Sequence, residues 1–242
     1  MNNTQTRYKW ILFDADETLF HFDAFKGLQL MFSRFGVDFT LANFEQYQLV
    51  NQPLWVDYQD GKISADHLQV TRFQHWAEKL NVTAHQLNQA FLEAMADICS
   101  VLPGVKELIA SLQGRVKMGI ITNGFTALQT IRLERTGLLE AFSPVVISEQ
   151  FGVAKPDVAI FEHALSLMDN PPREHVLMVG DNLHSDILGG LNAGFDTCWL
   201  NHDNQMPRDG ISPHYQVSSI FELQQLLDGK LSVKSANLKG NF

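Results

Sequence analysis

Only two cysteines, Cys99 and Cys198, occur in the 242 residues. That count excludes a disulfide framework, and their separation fits no CxxC metal pattern. Long apolar runs are missing too. None approaches the roughly 20 residues of a membrane span. The opening MNNTQTRYKW lacks the apolar stretch of a secretory signal. Basic residues are in deficit: 18 Lys and Arg stand against 27 Asp and Glu, for a net charge of −9. Such a field repels nucleic-acid polymers and anionic membranes. It leaves room for a small phosphate ester, which needs only local positive charge. These absences lead to the expectation of a soluble cytoplasmic protein with no polymeric nucleic acid and no membrane as partner. Its oligomeric state, monomer or dimer, stays open. With 45% hydrophobic residues, the chain is long enough to bury a sizeable core as one domain carrying an insertion. The polar segment 229–242 is expected to be a disordered tail.

What is present is an alternation. Trp10–Phe13, Val116–Ile121, Val145–Ile147, Val176–Val179 and Thr197–Leu200 are short runs, apolar on both faces, as strands of a doubly covered parallel sheet should be. Between the later runs lie helical patterns at 104–112, 127–138, 156–167 (with Pro156 in its first turn) and from Ser185 or Asp186 to 193. The expected fold class is α/β, a doubly wound Rossmann-like parallel sheet. Residues 19–100 break the alternation. They read as helices near 23–35, 41–58, 64–80 and 84–98, with Thr40 and Ser64 as caps and a high density of aromatics. The domain reading is therefore a catalytic core of 1–18 and 101–228 with an inserted all-helical cap of 19–100.

Chemistry gathers at the strand ends. Asp14-Ala15-Asp16-Glu17-Thr18 follows the first strand, Thr122-Asn123-Gly124 the second, Lys155 comes after the third, and Gly180-Asp181 with Asp186 follows the fourth. Each alone has an ordinary explanation: an acidic turn, a helix cap, a solvated lysine, another cap. In a parallel sheet, however, all four ends share one edge, where open α/β sheets bind ligands. Four converging carboxylates repel one another, and a divalent cation with a lysine relieves that. Oxygen-only ligands favour Mg²⁺ (with Mn²⁺ as a possible substitute) over zinc.

In this order the four elements resemble the haloacid dehalogenase-like hydrolase superfamily, over nearly the whole chain. DADETLF, the long aromatic cap, ITNG, GVAKP and GD-x4-D are similar to the bacterial pyrimidine 5′-nucleotidases that also hydrolyse non-canonical deoxynucleotides. The resemblance implies hydrolysis of UMP, dUMP or dTMP through an aspartyl phosphate. Asp14 would be the nucleophile and Asp16 the general acid and base. Thr122 and the backbone amides of Asn123 and Gly124 would bind phosphoryl oxygens, and Lys155 would neutralise charge. Mg²⁺ would be held by Asp14, the Asp16 carbonyl and Asp181, with Asp186 orienting a ligand of the ion or Lys155 from behind. Phe20, His21, Phe22 and Phe125 are the aromatic candidates for substrate contact. One departure stands out: Glu17 occupies the place where the superfamily usually has glycine, so a positive φ there would strain it. Phosphatases or mutases acting on sugar phosphates would keep the same residues. A dehalogenase has no need of Asp16 or Asp181, a receiver domain is about half this length, and a non-catalytic binding protein has no reason to retain both Asp14 and Asp16.

Overall fold

The computed structural model describes residues 6–206 and 210–230. Six strands form one parallel sheet: β1 (Trp10–Phe13), β2 (Lys117–Thr122), β3 (Val145–Ile147), β4 (Val176–Gly180), β5 (Asp196–Leu200) and β6 (Tyr215–Val217), in the order β3-β2-β1-β4-β5-β6. Successive side chains on a strand point to opposite faces, and here both faces are covered. Ile11 and Phe13 of β1 pack with Leu108 and Leu223, which lie on helices α6 (Val105–Leu112) and α11 (Ile220–Leu227). Trp10 and Leu12 pack into a second cluster with Ile160 and Phe161 of α9 (Val158–Leu167). This double burial explains why the strands read as unbroken apolar runs. After β1 the chain builds β2 and β3 on one side of it, then returns to build β4 on the other. That reversal opens a crevice beyond the carboxyl end of β1, where ligands sit in such sheets.

Five helices fill the insert: α1 (Ala24–Ser33), α2 (Leu41–Gln59), α3 (Ala65–Thr71), α4 (Gln74–Leu80) and α5 (Ala84–Asp97). Thr40, Ser64 and Thr83 cap α2, α3 and α5, each accepting from the backbone N–H three residues on. The aromatics build a core for the insert, with Phe32 stacked on Phe39 at 4.6 Å and against Trp76 at 4.5 Å. That cluster extends to Phe125, Leu128 and Ala154 of the sheet half. Tyr58 Oη donates to Ser148 Oγ at 2.8 Å across the same boundary.

Some expectations need correction. The helix expected over 64–80 is two, because the ladder tightens at Phe73 N–Val70 O and restarts. Helix α9 starts at Val158, capped by Asp157, so Pro156 precedes it rather than opening it. The stretch after Asp181 begins as a π-helical turn, Leu183–Leu188, before α10 (Gly189–Asn192). Strand β6, only three residues with one exposed, carries too little pattern to be read. Of the expected tail, Gly229 and Lys230 close the last helix turn, and 231–242 lie outside the described residues.

Candidate active site

Each strand end delivers one group to the crevice. Asp14 follows β1 directly, and its N–H donates to Val179 O at 2.8 Å, which ties it to β4. Lys155 is 1% exposed and spends all three ammonium protons: on Asp14 Oδ1 at 2.6 Å, Asp186 Oδ1 at 2.6 Å and Ile121 O at 2.7 Å. An ammonium has three donors, so this lysine is saturated by the protein. Its charge acts on the two aspartates, and Asp14 keeps its Oδ2 open among the described residues.

Asp186 is fully buried and also accepts from Asn182 N at 3.0 Å and Ser185 Oγ at 3.2 Å. Space for it comes from Gly180, where a Cβ would lie 2.2 Å from Asp186 Oδ2. Asp181 is fixed by Thr18, whose Oγ1 accepts from Asp181 N at 3.1 Å, and by Trp199 Nε1 on its carbonyl at 2.7 Å. Carboxylate oxygens of Asp14, Asp181 and Asp186 lie within 4.8 Å of one another. Burial, then the nearby Asp186, lift the pKa of Asp181 to about 8. Burial likewise lifts Asp14 to about 7, with Lys155 opposing and Asp186 and Asp16 reinforcing the rise. Three carboxylates against one lysine leave a surplus of negative charge on hard oxygen donors. That is the donor set of a divalent cation such as Mg²⁺.

These shifts have a sign. A carboxyl whose pKa rises on folding binds its proton more tightly when folded, so its contribution is complete at low pH and is lost as pH rises through the folded pKa. In chelator the protein is expected to lose melting temperature between pH 5 and pH 8, up to the folded pKa values of Asp14 and Asp181. Added Mg²⁺ should cancel most of that drop, because it binds the ionised form. A melting temperature that rises over this range in chelator, in wild type and in Asp181→Asn alike, would contradict the assignment.

The second strand end behaves as a preformed cradle. Thr122 Oγ1 accepts from Gly124 N at 3.0 Å. Asn123 spends its side chain on the lysine loop, donating to Lys155 O at 2.9 Å and accepting from Lys155 N at 2.8 Å. Its side-chain amide therefore positions Lys155. Asp16, half-buried, turns from Lys155 and takes the guanidinium of Arg132 on its Oδ1. Arg132 is 1% exposed, is gripped by Gln129 Oε1 at 2.6 and 2.9 Å, and lies 4.4 Å above the Phe20 ring.

The aromatic candidates divide. Phe20 is completely buried beneath Arg132 in the core and so is not placed to meet a substrate. His21 is exposed and pairs with Glu17 at 3.1 Å. Phe22 lines the crevice with Asp14, Asp16, Thr122 and Lys155, in a volume of about 200 Å³. Phe22 and Phe125 also line an adjoining cleft under the insert. Glu17 has φ of 53°, the left-handed region, and its carboxylate repays the strain by accepting from Phe22 N. Thr18, Arg132 and Trp199 escaped the sequence reading. For Arg132 a signal existed: it lies four residues after Leu128, on the apolar stripe of α7 (Thr126–Thr136), where a charge needs a partner.

A family model for haloacid dehalogenase-like hydrolases matches residues 8–194. The chain belongs to that family. It is a hydrolase with the family's Rossmann-like fold. It is 57% identical to the pyrimidine 5′-nucleotidase YjjG of Escherichia coli K12 over 221 residues, covering 91% of this chain and 98% of that protein. It is 36% identical to the pyrimidine 5′-nucleotidase PynA of Streptococcus pneumoniae, covering 94% and 98%. Among solved structures, the HAD-hydrolase YfnB of Bacillus subtilis, bound to magnesium, superposes with a TM-score of 0.80 at 32% identity, covering 91% and 99%. No helix among the described residues is long and apolar enough to cross a membrane.

Proposed function

We propose that this hydrolase is a Mg²⁺-dependent 5′-nucleotidase that converts pyrimidine nucleoside monophosphates (UMP, dUMP, dTMP) to nucleoside and phosphate, working in the cytoplasm. The observation that carries it is the coupling of Asp14 to Lys155 and Asp186 beside a second, separately held carboxylate, Asp16. The pyrimidine preference is taken from the two relatives whose names state it.

The chemistry follows from the charges. Asp14, held by one oxygen on Lys155, attacks phosphorus with the other, and the bond from phosphorus to the 5′-oxygen breaks. Asp16 gives that oxygen its proton. It then takes a proton from the water that attacks the aspartyl phosphate, which returns Asp14 as a carboxylate. Arg132 sets the direction in which Asp16 points. Thr122 and the Gly124 N–H, now bonded to each other, are the donors that an arriving phosphoryl oxygen would recruit. Asp14 and Asp181, with the Asp16 carbonyl, would hold Mg²⁺, and Asp186 would keep Lys155 in place. When bound, the ion offsets the repulsion between the phosphate and the nucleophile.

Phosphate release from a panel of nucleoside monophosphates and sugar phosphates, in Mg²⁺ and in excess chelator, tests this reading. The expected result is turnover of UMP, dUMP and dTMP above purine nucleotides and hexose phosphates, and its loss in chelator. A clear lead for a hexose phosphate, or full activity in chelator, would overturn it.

A further inference from the structure

Under the insert lies a small cleft of about 140 Å³, lined by Asp16, Phe22, Asn51, Trp55, Arg72 and Phe125. Asp16, Phe22, Trp55 and Gly124 line the catalytic crevice as well, so the two spaces adjoin. The volume is below the roughly 300–1,000 Å³ typical of pockets that take a whole drug-sized ligand. It suits a single ring.

Arg72 is the anomaly in this cleft. It is 5% exposed, and no carboxylate among the described residues pairs with it. Its guanidinium lies 5.1–5.2 Å from the centres of the Phe73, Phe91 and Phe125 rings. One terminal nitrogen donates to Asn88 Oδ1, and Nε has no hydrogen-bond partner. A buried guanidinium stays charged, and leaving such a charge unpaired is costly. The ring faces and the Tyr47 hydroxyl, which also lines the cleft, offset part of that cost, yet Nε still has no acceptor. The side chain is nonetheless held in place. Asn88 donates to Gln69 at 2.6 Å, Gln69 donates to Glu149 at 2.6 Å, and Glu149 accepts from Thr126 N at 2.8 Å. This relay ties Arg72 to the start of α7, beside the Thr122 cradle.

We propose that Arg72 is the residue that reads the base, donating to a ring carbonyl oxygen of a uracil- or thymine-type base lodged in this cleft against the Phe22, Trp55 and Phe125 rings. The inference rests on the nucleotidase reading. Asp16 protonates the leaving oxygen, so the leaving nucleoside must lie beside Asp16, and Asp16 lines this cleft as well as the crevice. Uracil and thymine carry two ring carbonyls and adenine has none, so a donor fork favours the former.

The test compares a substrate with its base and one without. For wild type, Arg72→Gln and Arg72→Lys, kcat/KM is measured in Mg²⁺ for dUMP and for 2-deoxyribose 5-phosphate. Wild type is expected to favour dUMP by about ten- to a hundredfold, the weight of one or two hydrogen bonds to a charged donor. In Arg72→Gln that ratio should collapse towards one, chiefly through KM. Arg72→Lys keeps the charge but not the flat fork and should give an intermediate ratio. Because the ratio is read within each variant, general damage to the fold lowers both rates and leaves it unchanged. Should Arg72→Gln fail to fold by circular dichroism, Arg72→Lys decides alone. A ratio that stays at the wild-type value would overturn the assignment of Arg72 and leave the nucleotidase reading standing. A wild type that turns over the sugar phosphate as well as dUMP would overturn both.

Discussion

Asp14→Asn is expected to cut turnover by more than about 10⁴-fold, the scale of losing a covalent nucleophile, while leaving the metal-free protein at least as stable as wild type at pH 8. The two halves of this result come from the same environment. Asparagine has almost the shape of aspartate and no charge. The site that Asp14 occupies already disfavours its ionised form, since burial and the neighbouring Asp186 and Asp16 outweigh Lys155 and hold the pKa near 7. Removing the charge relieves that repulsion, and Lys155 keeps Asp186 and Ile121 O as partners. Loss of activity together with loss of fold would mean that Asp14 is a structural residue. Wild-type turnover in a folded variant would remove it as nucleophile.

Lys155→Met should act in the opposite way, damaging both stability and catalysis. Methionine fills much of the same volume but leaves Asp14 and Asp186 facing each other without the cation between them, and Ile121 O loses its donor. Breaking a buried charge pair by removing one partner costs about 3–5 kcal/mol. Loss of electrostatic support at the reacting group costs about 10²–10³ in kcat. The stability deficit is expected to be larger at pH 8 than at pH 5, because Asp14 once protonated no longer repels Asp186. Denaturant midpoints at the two pH values read this directly. An equal deficit at both would show that packing, not charge, is what Lys155 supplies. Added Mg²⁺ should recover part of the stability, since the ion replaces some of the missing positive charge.

Much of this site was legible because it is built at strand ends. Asp14, Thr122 and Asp181 follow directly from apolar runs whose double-faced burial marks them as parallel strands, and topology then forces their convergence. Two helices of the insert were readable from their caps. Thr40 and Ser64 each sit one residue before a helix start, and the structure adds Thr83 as a third cap of the same kind. What escaped is of another kind. Arg132, Arg72 and Thr18 act through contacts between segments far apart in sequence, such as Arg132 with Asp16 or Thr18 with Asp181. A charge on an apolar stripe shows that a partner is needed and does not say which. Phe20 was misplaced because adjacency to a catalytic loop does not fix which way a side chain turns. Its backbone pairs with Val101 and its ring goes under Arg132. Glu17 is the converse case. The departure from glycine left the φ of this turn open, and the structure answers with a positive φ at Glu17, whose carboxylate holds the turn it strains.

The account turns on a covalent bond between Asp14 and phosphorus. Rapid acid quench of the enzyme with ³²P-labelled dUMP in Mg²⁺, followed by peptide mapping, measures that bond. The account predicts acid-stable label on the peptide containing Asp14, formed before free phosphate and absent in Asp14→Asn. Phosphate released in a full turnover with no protein-bound label at any time, or label on a different residue, would contradict it.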